Sequence, residues 1–145
     1  NMAGLIPAAL VAMARIDDTG AAASYGFANG FETGTPEGAT AGSAPINRIA
    51  AGNYVLYLDD PVEYGSATQQ GGLVAIAQSC DTGVAVPTIA FCTVGHGDTT
   101  GETAAYNNVN AQKKLHIRCY NDLGALVATN GVSLIVFRNP VTVFP

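Results

Sequence analysis

Short apolar runs rich in Val, Ile, Tyr and Phe recur along the chain, separated by Gly, Asn, Asp, Ser and Pro. Runs of this length between turn-forming residues predict β-strands, and helical three-and-four spacing is nearly absent. The predicted strands are 9–16, 52–58, 72–78, 87–94, 114–120 and 131–137, with a weaker candidate at 141–144. Such a pattern predicts an all-β fold, an antiparallel, jelly-roll-like β-sandwich with little or no helix.

The remaining segments predict one domain, residues 1–145, with two long loops. Intervals 23–45 and 95–112 are rich in Gly, Ala, Thr and polar residues, which is typical of loops that carry function or contact partners. Residues 1–10 are apolar but lack a preceding basic segment and contain Pro7, which favours an entry strand or an arm docked on a neighbouring subunit over a secretion signal. Because no run of 18 apolar residues occurs, the sequence predicts no membrane span.

Two further segments carry turn signals. The cluster Asn-Asp-Leu-Gly at 121–124 lies between two apolar runs and combines an amide, a carboxylate and a permissive Gly. Thr-Asn-Gly at 129–131 contains the Asn-Gly pair that is typical of hairpins. We predict a tight turn at 121–124 rather than a site.

Alternation within the strands indicates which faces are apolar. In 114–120, Leu115, Ile117 and Cys119 alternate with more polar residues, which predicts one wet face. Both faces are apolar in 52–58 and 131–137. A sandwich of two sheets buries only one face of each strand in its core, so the second apolar face of these strands needs another cover. We therefore expect another copy of the chain to cover the second face. The predicted oligomer interface is Tyr54, Leu56, Leu58, Leu134, Val136 and Phe137.

Charge is scarce over the whole chain. Charged residues make up 12% of the sequence, about half the usual share, and the net charge is -5. Only six residues are Lys or Arg, too few to neutralise the phosphates along a nucleic-acid backbone, which argues against nucleic acid as a partner. The same shortage of positive charge argues against anionic membranes. Such a surface must be covered by small polar residues and backbone, or by other copies of the chain.

The sharpest catalytic candidate is Asp-Thr-Gly-Ala at 18–21, partly repeated as Asp-Thr-Gly at 81–83. Aspartic proteases hold two such Asp residues together, so that the carboxylates share one proton and activate water. Asp17 stands where that family has an apolar residue, and an Asp-Thr-Gly in a Gly-rich β-protein is usually a hairpin turn. We predict that the protein is not an enzyme and assign no catalytic residue, with a retropepsin-like aspartic protease using Asp18 as the second alternative.

Acidic residues suggest a metal site at first sight, since His96, Asp98 and Glu102 lie close together and acid pairs occur at 17–18 and 59–60. Neither segment matches an established Ca²⁺ loop, and two His argue against zinc. We predict no metal and no cofactor, with a bound Ca²⁺ as the alternative.

The three cysteines, Cys80, Cys92 and Cys119, have no metal-type spacing, and an odd count leaves at least one thiol unpaired within the chain. Cys92 and Cys119 lie in predicted strands, where a free buried Cys behaves as a small hydrophobe, the interpretation we favour. One disulfide is the alternative.

Three aromatic residues in the first long loop, Tyr25, Phe27 and Phe31, form a candidate ligand-binding site, because rings present apolar faces to sugars. The favoured interpretation is that these rings plug the end of the sandwich or touch a neighbouring chain.

Two stretches carry a family resemblance: "RIAAGNYVLYLDDP" (48–61) and "LHIRCYNDLGALVATNGVSLIVFRNP" (115–140). The chain resembles the small β-sandwich domains of phage tail-fibre, spike and head-decoration proteins, in which "ARIDDTGA" (14–21) would form the first hairpin. It is similar, more weakly, to the jelly-roll heads of the C1q and TNF group, which are trimers. Arg138 and the insert at 23–45 depart from the pattern.

The resemblance implies a non-enzymatic structural protein of a virus particle, a bacteriophage capsid-decorating or fibre module that assembles as a homotrimer on the virion surface and is extracellular when mature. The implied partners are the chain itself and capsid or other virion proteins. A receptor- or glycan-binding head domain is the alternative.

Overall fold

The protein is an antiparallel β-sandwich built from eight described strands. A computed structural model describes residues 10–18, 23–32, 35–36, 39–41, 44–58, 73–79, 90–96, 113–129 and 131–138; for residues 23–25, 27–29, 73, 96 and 138 it describes the backbone alone. The strands are β1 (Leu10–Asp18), β2 (Ala23–Asn29), β3 (Ile46–Ala50), β4 (Asn53–Tyr57), β5 (Leu73–Ser79), β6 (Ala90–His96), β7 (Lys114–Asn121) and β8 (Val132–Arg138). The predicted all-β class is confirmed.

The strands form two four-stranded sheets, with the orders β2-β1-β8-β5 and β3-β4-β7-β6. All neighbouring strands within each sheet are antiparallel. The connections β2–β3, β4–β5, β5–β6 and β7–β8 pass from one sheet to the other. One core lies between the sheets, where Ile16 and Leu134 of the first sheet pack with Leu56 and Ile117 of the second.

Strands β2 and β3 occupy segments in which the sequence predicted none. β2 takes the start of the predicted loop 23–45, because its backbone pairs with β1 from Asp18↔Ala23 to Met13↔Asn29. β3 pairs with β4 over Ile46↔Leu56 and the residues that follow. Residues 1–9 of the predicted arm at 1–10, the rest of the second loop at 97–112 and the candidate strand at 141–144 lie outside the described residues. The last residue of that arm, Leu10, is the first residue of β1.

The polar cluster at 121–124 is a turn, as predicted. The Asn121 carbonyl accepts a hydrogen bond from Gly124 N at 3.0 Å, and the Asn121 Oδ1 accepts from Leu123 N at 3.0 Å and Ala125 N at 2.9 Å. Gly124 has φ 79, a left-handed conformation that Gly adopts without a steric penalty. The alternation in β7 is also confirmed, because Leu115, Ile117 and Cys119 are buried and Arg118 is exposed.

A disulfide joins Cys92 on β6 to Cys119 on β7, where the two residues are direct cross-strand partners. The favoured interpretation of two free buried thiols is therefore wrong for this pair, and the alternative of one disulfide is correct. Cys119 has no exposed surface and belongs to the core. The bond ties β6, the last strand in the described order of the second sheet, to its neighbour. Cys80 lies outside the described residues.

Strand β4 is buried on both faces by the chain itself. One face joins the main core, while Val55 and Tyr57 on the other face pack against Ala39 and Ile49. The Tyr57 N–H also donates to the Pro45 carbonyl at 3.0 Å. The second apolar face of this strand, for which we expected another copy of the chain, is thus covered within one chain.

Candidate functional site

Asp18 ends β1 as a buried carboxylate with an exposed fraction of 2%. Burial of a carboxylate is strongly unfavourable unless it is paired. The Asp18 Oδ1 accepts a hydrogen bond from Arg48 Nε at 3.0 Å, and Oδ2 accepts from the Tyr54 hydroxyl. Asp18 belongs to the first sheet, whereas Arg48 on β3 and Tyr54 on β4 belong to the second. The carboxylate therefore links the two sheets.

Gly52 completes this inter-sheet cluster of Asp18, Arg48, Gly52 and Tyr54. Its N–H lies 3.5 Å from Asp18 Oδ2 and 3.3 Å from the Tyr54 hydroxyl oxygen, both long for hydrogen bonds. Gly52 has φ 71, and an added Cβ would come within 2.2 Å of the Val127 carbonyl oxygen. Only Gly fits this close approach between the β3–β4 turn and the chain that follows β7.

The Tyr54 hydroxyl is held in its protonated form. Burial raises the pKa of Tyr54 well above its usual value of 10.0, and the hydrogen bond to Asp18 and the charge of Asp18 raise it further. Arg48 and the Gly52 N–H act in the opposite direction but do not cancel this rise. Tyr54 therefore serves as a permanent hydrogen-bond donor to the carboxylate.

The described contacts of Asp18 are those of a buried ion pair between the two sheets. Each Asp18 oxygen accepts from a donor of the second sheet, one a guanidinium and one a phenol. A protease dyad instead needs a second carboxylate that shares a proton with the first. Asp81, the candidate counterpart of Asp18, lies outside the described residues. Asp17, the preceding residue, is exposed to solvent on one side and pairs with Arg15 at 3.1 Å.

Within the described ranges, no three His, Cys, Asp or Glu side chains gather into a group that could hold a metal ion. Of the residues considered for a metal, Asp98, Glu102, Asp59 and Asp60 lie outside those ranges, as does the side chain of His96.

The predicted interface residues divide between the two faces of their strands. Five of them have essentially no exposed surface and form part of the core within one chain, so they are not available to a partner: Tyr54, Leu56, Leu58, Leu134 and Val136. Phe137 alternates with Val136 on β8 and lies on the opposite face, half-buried. Of the predicted interface residues, Phe137 is therefore the one whose side chain remains partly accessible to a partner.

That outer face of the first sheet carries two adjacent apolar rows. One row runs from Met13 on β1 through Ile135 on β8 to Ile76 on β5, and all three are direct cross-strand partners. The next row has Leu10, Phe137 and Val74 in the same order of strands. We call these six residues the outer apolar grid. Ile76 is 59% exposed and Val74 is 47% exposed.

The three candidate sugar-stacking residues do not form one surface in the described structure. Phe31 is 2% exposed, pairs with Leu58 in an isolated bridge and belongs to the core, so its ring cannot stack on a ligand. Tyr25 and Phe27 lie on β2, opposite Ile16 and Ala14, and their side chains are outside the described residues.

Sequence reasoning missed the partners of Asp18 and most of the grid. A usable signal for the grid was the run at 73–77, Leu-Val-Ala-Ile-Ala, which has no polar residue on either face. Its two small Ala residues, Ala75 and Ala77, pack against the core and leave Val74 and Ile76 outside.

No protein-family model, curated protein or solved structure matches the chain. In the part of the chain that the structure describes, no helix is long and apolar enough to cross a membrane.

Proposed function

We propose that the protein is a non-enzymatic structural component of a virus particle, a capsid-decorating or fibre module that assembles with copies of itself as a homotrimer. The observation that carries this proposal is the outer apolar grid, which spans β1, β8 and β5 and faces solvent in the single chain. The function is thus the formation of a stable assembly rather than chemistry at a site.

Exposed apolar surface of this kind usually marks an interface. The six grid residues contain no polar side chain, and a polar row of Arg15, Ser133 and Gln78 borders them on the same three strands. An apolar centre with a polar border is the typical organisation of a protein interface. Burial of the grid would stabilise a complex by about 25 cal/mol for each Å² of apolar surface removed from water.

A second copy of the chain is the occupant that fits this surface. Recognition of a partner by charge would require many charged residues around the grid. Only 12% of the residues of the chain are charged, and the border row carries a single charge, Arg15. Symmetric assembly of identical chains is the commonest way in which soluble proteins cover such surfaces.

The virion assignment rests on the resemblance to phage surface domains and on two features that agree with it. A disulfide such as Cys92–Cys119 persists outside reducing compartments, which suits a mature extracellular particle. The inter-sheet cluster uses Asp18 as a structural link, which suits a protein whose function is assembly.

Sedimentation of surface variants tests the self-assembly. Ile76→Asp and Val74→Asp each place a charge inside the grid, and we expect both to lower the assembled mass to that of one chain. Leu123→Asp is the matched control, because Leu123 is 87% exposed at the 121–124 turn and lies away from the grid. The control should assemble like the wild type.

Equal assembly of the wild type and both grid variants would show that the grid is not an interface.

Crosslinking of the native extract tests the virion assignment separately. We expect crosslinks to particle proteins, and recovery of the chain only outside particles would contradict that assignment.

A further inference from the structure

We draw no further inference here: the strongest candidate, the apolar surface patch of Phe91, Tyr120 and Leu126 on the outer face of the second sheet, carries none because nothing in the structure shows what covers it.

Discussion

Asp18 lies 30 residues from Arg48 and 36 residues from Tyr54 along the chain, yet contacts both. The local pattern Asp-Thr-Gly identified Asp18 as a candidate catalytic carboxylate, but the same pattern also occurs in turns. Only the folding of the second sheet onto the first brings the guanidinium and the phenol to the carboxylate. The sequence therefore identifies Asp18 as a residue of interest. Its partners, Arg48 and Tyr54, cannot be predicted from a local pattern because they come from the other sheet.

Replacement of Arg48 tests the role of the buried ion pair. Arg48→Ala leaves the Asp18 carboxylate buried without its cation, and we expect a loss of about 3 kcal/mol in the free energy of unfolding. Arg15→Ala is the control, because the Arg15–Asp17 pair is largely exposed and exposed pairs contribute about 1 kcal/mol or less. Urea unfolding in the Ile76→Asp background keeps assembly out of the comparison. Equal losses in the two variants would contradict the structural role of Asp18.

Alkaline pH tests the hydrogen bond from Tyr54. The folded protein raises the pKa of Tyr54 above the unfolded value of 10.0, so this stabilisation is complete below pH 10.0 and falls as the pH rises toward the folded pKa. Above the unfolded pKa we expect the free energy of unfolding to fall by about 1.4 kcal/mol for each pH unit. Urea unfolding between pH 8 and about pH 11 measures this fall. Tyr54→Phe should be less stable at neutral pH and lack this contribution; the same alkaline slope in both proteins would contradict it.

At the scale of strands, six of the eight were predicted within a few residues because each is an apolar run between turn residues. β2 and β3 were missed for an identifiable reason. β2 has Gly26 near its centre, and β3 is a five-residue strand with Asn47 and Arg48 inside it. Both segments are strands because they form backbone hydrogen bonds with a neighbouring strand, β1 for β2 and β4 for β3. Such pairing cannot be predicted from the residues of the segment alone.

The faces of β4 and β8 show a second limit of local patterns. Both strands are apolar on both sides, so alternation cannot decide which side meets the core. In β4, residues that include Ala39 cover the second side. In β8, Ile135 remains 38% exposed. The prediction of an uncovered apolar face therefore applies to β8, and the interface that we propose uses Ile135 and Phe137 instead of Leu134 and Val136.

The disulfide gives a prediction about the stability of the second sheet. Cys92 and Cys119 are separated by 27 residues, and the bond limits the unfolded chain by closing a loop of that length. The double variant Cys92→Ser with Cys119→Ser should lower the free energy of unfolding by about 3–4 kcal/mol. Thermal unfolding of the oxidised, reduced and double-variant proteins measures this effect, and unfolding at one temperature in all three would contradict it.

At the scale of the molecule, the sandwich leaves the outer apolar grid on the outside of the first sheet and joins the two sheets through the inter-sheet cluster. Exposed apolar surface together with only 12% charged residues is suited to contact with identical neighbours. The outer apolar grid is the surface on which the self-assembly that we propose depends. The virion role that we propose depends on this assembly.

The mass of the wild-type protein in solution tests this account most directly. Size-exclusion chromatography with light scattering at micromolar concentration should give three times the 14.8 kDa of one chain. The Ile76→Asp protein, measured beside it, should have the mass of one chain. A wild-type protein of 14.8 kDa at the same concentration would contradict the central claim that copies of this chain cover the outer apolar grid.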